Sequence, residues 1–255
     1  MFMAMLAGYG LFLIDKILPT VPSRANMLSL SRMSIGWDVD DLLTNLNQRN
    51  QEYDGAILEQ IRSMGGRFSS KEFFELLGFK KYDDLDFDDS EGATIIHDMN
   101  TPVPEALHNC FDFVFENGTL EHIFDIKTAI SNVARMVKVG GVVSHGSPLD
   151  AFNHGFYNFS INFFNDFYRA NGFDDLEFYV VRYSSNWRHN QKVNVEALPY
   201  TFDEFSFDPG MYTSELNKAY IACRAQKTEH VSKIISPVQA AYDRNKGHQS
   251  LLTKW

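Results

Sequence analysis

Cysteine is scarce. The 255-residue chain carries two, Cys110 and Cys223, far apart and without CxxC spacing. That excludes a disulfide framework and a thiolate zinc site, and makes a reducing, cytoplasmic setting the expectation. Basic runs are missing too. With 33 acidic against 23 basic residues the formal charge is −10, so no nucleic-acid partner is expected, since that needs a basic footprint. No apolar run is long enough for a membrane span. Residues 1–14 are hydrophobic but lack a basic start, and Asp15 and Lys16 end the run. A packed N-terminal helix is the expectation there, without membrane contact. Eight histidines stand among many acids, yet no HxH, HExxH or regularly spaced carboxylate triad appears. No metal site is expected, and any metal would have to be assembled from distant segments.

What is present in quantity is aromatic. The 22 Phe and 11 Tyr point to a bulky core and an aromatic-lined pocket. Residues 26–31 read as a short strand, and apolar residues at helical spacing follow over 38–61, from Val39 through Leu46 to Ile61. Ser69 or Ser70 can cap a short helix that Gly78 terminates. Strands are expected at 82–87, 93–97, 111–115 and 142–145, with a helix over 120–137 joining the last two. Another helix is expected at 163–171, with later strands at 176–183 and 218–224. Residues 186–213 read as a long polar and aromatic excursion. Strands alternating with helices imply a mostly parallel sheet. In such a sheet Asn117 to His122 fall at the carboxyl end of a strand, the edge where ligands collect.

Phe111-Asp112-Phe113-Val114, then Asn117-Gly118-Thr119-Leu120-Glu121-His122, then Arg135-Met136-Val137-Lys138-Val139-Gly140-Gly141 resemble the class I S-adenosylmethionine-dependent methyltransferases. The similarity is to the type 11-like branch that reads FDLV, EH and RxLKPGG. It extends over about residues 26–224, and His154-Gly155-Phe156-Tyr157-Asn158 resembles a subgroup tied to bacterial glycan or secondary biosynthesis. The resemblance implies an α/β, Rossmann-like, seven-stranded, mostly parallel sheet with helices on both faces and an N-terminal helical extension. The implied division is 1–25 extension, 26–225 Rossmann-like domain and 226–255 tail.

The same resemblance implies S-adenosylmethionine as cofactor. Asp86 is placed to accept from the ribose hydroxyls, with Asp84 and Asp88 as competitors, and Asp98 with the Met99 backbone is placed to hold the adenine. The turn Asn117-Gly118-Thr119 would face the methionine ammonium. Ser29 and Ser31 occupy the first loop, where the family places glycines, and no glycine follows before Gly36. Serine adopts positive φ less freely than glycine, and Arg32 would add bulk and charge near a sulfonium.

Methyl transfer needs a positioned nucleophile and a base for its proton. His122 and His154 are the candidate bases, and Tyr157 is a candidate to orient an acceptor. The expected function is methyl transfer to a small polar acceptor, a sugar or metabolite hydroxyl. The alternative, motivated by the glycine-poor loop and the apolar N-terminus, is a catalytically silent methyltransferase-like subunit. A homo-oligomer or protein partner fits either.

Overall fold

The computed structural model describes residues 4–151, 154–183, 195–200 and 219–239. The chain opens with β1 (Ala4–Leu6) and α1 (Ala7–Phe12), then β2 (Asn26–Leu30), β3 (Ser34–Gly36), α2 (Val39–Gln48), α3 (Gly55–Ser63) and α4 (Ser70–Leu76). It continues through β4 (Lys81–Asp86), β5 (Ile95–Ile96), β6 (Phe111–Asn117), α5 (Ile126–Met136) and β7 (Val137–Pro148). The last elements are α6 (Ile161–Ala170), β8 (Phe173–Tyr183), β9 (Val195–Tyr200) and β10 (Ala219–Lys227).

The main sheet runs β5-β4-β2-β6-β7-β10-β8-β9. Its first five strands are mutually parallel, and β10 lies antiparallel between β7 and β8. The expected seven strands are therefore present, with β9 added antiparallel along β8. Part of the stretch read as an excursion, 195–200, is this edge strand, and the rest lies outside the described residues. From β2 the chain winds outward to β4 and β5, then crosses back to β6 and β7. The order reverses between β2 and β6, and a doubly wound sheet opens its ligand crevice at that point.

Alternation along β6 divides the core. Phe113 and Phe115 face one layer and Val114 the other, the period of two that a strand buried on both faces must show. Phe74 of α4 lies within 5.1–6.1 Å, ring to ring, of Phe73, Phe79, Phe113 and Phe115. Tyr9, Leu13 and Ile17 of the N-terminal segment belong to the same layer, and Phe12 meets Tyr179 of β8 edge-on at 5.1 Å. The second layer is formed by α5 and α6, through Ile130, Val133, Phe164 and Tyr168. No helix among the described residues is long and apolar enough to cross a membrane.

The helical pattern over 38–61 resolves into two helices. Asp38 caps α2 by accepting from the Asp40 and Asp41 N–H groups, and Asp54 caps α3 through Ala56 and Ile57. Asn50 between them takes φ +50°, and the Asp54 N–H donates to the Leu76 carbonyl. The second cap starts a new helix, which the continuing apolar spacing conceals. At α4 the Ser69–Glu72 capping box is complete, and Gly78 ends the helix at φ +90° as its position implies.

Candidate functional site

A cavity of about 280 Å³ opens at the carboxyl ends of β2, β4, β5 and β6, close to the ~300 Å³ at which small-molecule sites begin. Its wall includes Ser31, Asp86, Asp98, Met99, Thr119 and His122, six residues singled out by the sequence, together with Leu30, Leu85, Phe87, His97, Asn100 and Ile123. Phe87 is the only Phe, Tyr or Trp in that lining. The expected aromatic pocket is not found here, and most of the described phenylalanines are divided between the two core layers. A larger groove of about 450 Å³ lies between α5, α6 and residues 234–239. It is away from the strand ends and gathers none of the sequence-predicted site residues.

The loop after β2 behaves differently from what its composition implies. Ser31 sits at φ +73°, the left-handed region that glycine enters freely and other residues enter at a cost of roughly 1–2 kcal/mol. Its N–H donates to the Leu85 carbonyl at 2.8 Å, and its own carbonyl accepts from Ser29 Oγ at 2.7 Å. The backbone thus takes a glycine-type turn without a glycine. Ser29 lies within the sheet, fully buried, and is not part of the cavity wall. Arg32 turns away from the cavity. Its Nε and Nη2 donate to the two carboxylate oxygens of buried Asp84 at 2.5 and 3.2 Å, a bidentate pair that fixes the planar guanidinium. Asp84 is therefore committed to Arg32 and to the Thr94 N–H, leaving Asp86 as the acid at the mouth of β4. Asp88 is absent from the lining. Replacing Ser31 by valine is expected to lower stability by about 2 kcal/mol, since a β-branched residue fits this φ worst, while Ser31→Gly should be neutral or stabilising. Thermal unfolding of the two variants measures this, and an unperturbed valine variant would remove the strained turn from the account.

Asp98 lines the cavity while acting as a turn former. Its Oδ1 accepts from the Asn100 N–H and from Asn100 Nδ2 at 2.9 and 2.8 Å, and these bonds hold its carboxyl below the usual carboxylate range. Across the cavity, Gly118 sits at φ +85° and Thr119 Oγ1 donates to the Leu30 carbonyl at 3.0 Å, tying the β6 turn to the end of β2. Asn117 is directed elsewhere, with Nδ2 3.6 Å from Met33 Sδ.

The residue that organises this turn is Glu116, which sequence reasoning missed. It is fully buried. Its Oε1 accepts from the Thr119 and Leu120 N–H groups at 2.8 and 3.2 Å, and its Oε2 accepts from Ser147 Oγ at 3.3 Å. His145 Nδ1 lies 2.8 Å from the same Oε2, and its Nε2 is 2.6 Å from the Tyr168 hydroxyl. The available signal was an acid at an inward position of an apolar strand, since a buried carboxylate needs partners.

Glu121 is buried as well, which separates it from the surface role of an ordinary helix-start acid. Burial, reinforced by the charge of Glu116, raises its carboxyl to about 8. His154 Nε2 lies 3.3 Å from Glu121 Oε1, and the His154 and His122 rings meet edge-on at 4.9 Å. Burial lowers the His122 pKa, with Glu116 opposing, so its imidazole is neutral near pH 7. Tyr157 is outside the cavity, and its hydroxyl donates to the Phe124 carbonyl at 2.8 Å.

Residues 88–144 match the family model for a methyltransferase domain. The match runs from the β4 end through β5, β6 and α5 into β7, and it contains all three motif elements between residues 111 and 141. No curated protein matches the chain. Among solved structures the chain is similar to a Thermotoga maritima SAM-dependent methyltransferase at 14% identity, covering 86% of this chain and 87% of that one, with TM-score 0.45. It is similar to phosphoethanolamine N-methyltransferase 2 of Haemonchus contortus at 15%, covering 88% of this chain and 53% of that one, with TM-score 0.42. The YcgJ protein of Bacillus subtilis shares 12%, with 87% and 99% covered and TM-score 0.42. These scores lie below 0.5, and the architecture described above rests on this chain's own strand order.

Proposed function

We propose that the chain is an S-adenosylmethionine-dependent methyltransferase acting on a small polar acceptor, a sugar or related metabolite hydroxyl. The observation that carries this reading is one cavity at the switch point, walled by an acid at the end of β4, a left-handed turn after β2 and a glycine turn after β6, inside a segment that matches a methyltransferase domain. The donor set fits the cofactor. Asp86 supplies the carboxylate for a ribose diol, and Met99 and Asp98 line the part of the wall assigned to the adenine. Ser31 and Gly118–Thr119 allow backbone to approach closely on the methionine side. When bound, the cofactor supplies a methyl group on a sulfonium.

The chain's own residues do the rest. His122 is in the wall and neutral near pH 7, so it can accept the acceptor's proton, and His154 stands behind it against Glu121. The silent-subunit alternative rests on the glycine-poor loop and on the apolar N-terminus. The left-handed Ser31 weakens the first ground, as does the pairing of Arg32 with Asp84, and burial of Tyr9, Leu13 and Ile17 in the core weakens the second.

Titration calorimetry with S-adenosylhomocysteine tests the reading. Micromolar binding is expected, weakened about ten- to hundredfold in Asp86→Ala, because hydrogen bonds to a charged group contribute about 1.5–3 kcal/mol and each 1.4 kcal/mol is about tenfold. No heat up to millimolar ligand would overturn it.

A further inference from the structure

We propose that Glu121, His122 and His154 form a binding site for a divalent transition-metal ion beside the cavity, whose wall His122 lines. One carboxylate oxygen and two imidazole nitrogens from these residues lie within 4.8 Å of one another. Glu121 Oε1 is 3.3 Å from His154 Nε2 and 4.0 Å from His122 Nε2. Ligands bound at about 2.0–2.1 Å in tetrahedral geometry stand about 3.4 Å apart. The Glu121–His154 edge already has that length. His122, whose side chain is 44% exposed, is free to swing the remaining distance.

The independent observation is Glu121 itself. Its side chain is fully buried, yet neither carboxylate oxygen accepts a hydrogen bond among the described residues. A buried acid holds a proton, pairs with a charge or coordinates a metal, and here the groups turned toward it are metal-ligating imidazoles. Glu116, five residues earlier near the end of β6, shows how the fold treats a structural acid, with both of its oxygens engaged. Glu121 is left open toward two imidazoles instead.

The loop that brings the second histidine is built for close approach. A Cβ on Gly155 would stand 2.7 Å from the Glu121 carbonyl oxygen and 2.8 Å from Glu121 Cγ, and the Phe156 N–H donates to that same carbonyl at 2.7 Å. Only glycine admits the contact, and it seats His154 against the carboxylate. Sequence spacing gives no sign of the site, because its ligands come from the Leu120–His122 turn and from a loop more than thirty residues later.

Two imidazoles and a carboxylate suit zinc, cobalt, nickel or ferrous iron better than magnesium or calcium, and leave coordination positions for water or substrate. If the methyl-transfer reading holds, an ion here would take up the His122 lone pair and seat the acceptor's oxygen, so that with the metal bound His122 holds the ion and does not serve as the base. The metal site itself does not depend on that reading.

The test uses the untagged full-length chain, stripped with EDTA and dialysed. Calorimetric titration with zinc chloride is expected to show one equivalent bound at micromolar affinity or tighter, weakened at least tenfold in His122→Ala, in His154→Ala and in Glu121→Gln. His230→Ala, remote from the site, should bind as the parent does. Both site histidines are partly exposed, so their variants should retain the parent circular dichroism spectrum. Titration with cobalt(II) should give a visible absorption band of low-coordinate cobalt in the parent and lose it in the variants. Binding of less than one equivalent, or equal zinc affinity in parent and site variants, would overturn the proposal. S-adenosylhomocysteine binding by the stripped protein without any zinc binding would reject the metal site alone. Zinc binding without S-adenosylhomocysteine binding would support the metal site and reject the methyltransferase reading.

Discussion

Replacing Glu116 by alanine is expected to lower the unfolding free energy by about 3–5 kcal/mol, because each buried donor left without its acceptor costs about 1–3 kcal/mol. Four groups lose their acceptor at once: the Thr119 and Leu120 N–H groups, Ser147 Oγ and His145 Nδ1. Leu120, Ser147 and His145 are fully buried, and His145 is held further by Tyr168 and by the Phe164 ring at 4.7 Å. Glu116→Gln should cost less, because one amide oxygen can still accept from the turn while the amide group meets His145. The turn also forms one wall of the cavity, so S-adenosylhomocysteine affinity should fall together with stability. Urea denaturation of both variants reads the effect. A loss under about 1 kcal/mol in the alanine variant would mean that the turn holds its shape without the carboxylate.

Gly146→Ala should be nearly as damaging, for a steric reason. The added Cβ would lie 2.0 Å from Asn117 Oδ1 and 2.5 Å from the Tyr9 hydroxyl, on a strand paired on both sides. Overpacking ordinarily costs about 1–3 kcal/mol, and a clash against two partners of a central strand belongs at the upper end. About 3 kcal/mol corresponds to a fall in Tm of about 6–12 °C for a domain of this size. The discriminating measurement is the double variant with Asn117→Ala, which removes the nearer obstacle. It should recover a good part of the lost Tm. If it recovers none, the damage comes from the strand backbone or from Tyr9 rather than from Asn117.

The sheet was legible in the sequence because its strands carry their own signals. The β6 run is apolar and bounded, and the Asn117–Gly118 turn and the cap of α4 follow local rules that need no partner. Other features needed the tertiary structure. Ser31 takes a glycine's conformation because the end of β4 holds its N–H, a contact more than fifty residues distant that no propensity of serine announces. The direction of Arg32 was undecidable until Asp84 was placed beside it. Glu116 reads as a polar interruption of a strand, and only the β6–β7 register puts Glu116 opposite His145. The break between α2 and α3 was hidden because the apolar spacing continues across it by coincidence. Asp86, Asp98 and the β6 turn could be read in advance, since a parallel sheet sends every strand's carboxyl end to one edge. Ser29 and Tyr157 could not be excluded in advance, because their hydroxyls are used within the scaffold.

The placement of β10 has a consequence for how the molecule assembles. This strand comes after every other described strand, yet it lies inside the sheet, hydrogen-bonded to β7 over residues 220–226 and to β8 on its other side. Until it arrives, β7 and β8 have no connection through the ladder, and each presents an open edge able to pair with another chain. Phe12 and Tyr9, synthesised first, meanwhile wait for Tyr179 and for the β7 backbone before their own surfaces are covered. Closure is therefore a late, long-range event of the kind that folds slowly. During synthesis on the ribosome, the β2–β7 half can form early, but the β8 half has no stable place in the sheet before residue 227 is made. A chain cut ahead of β10 should accumulate as an aggregating intermediate rather than as a smaller folded protein.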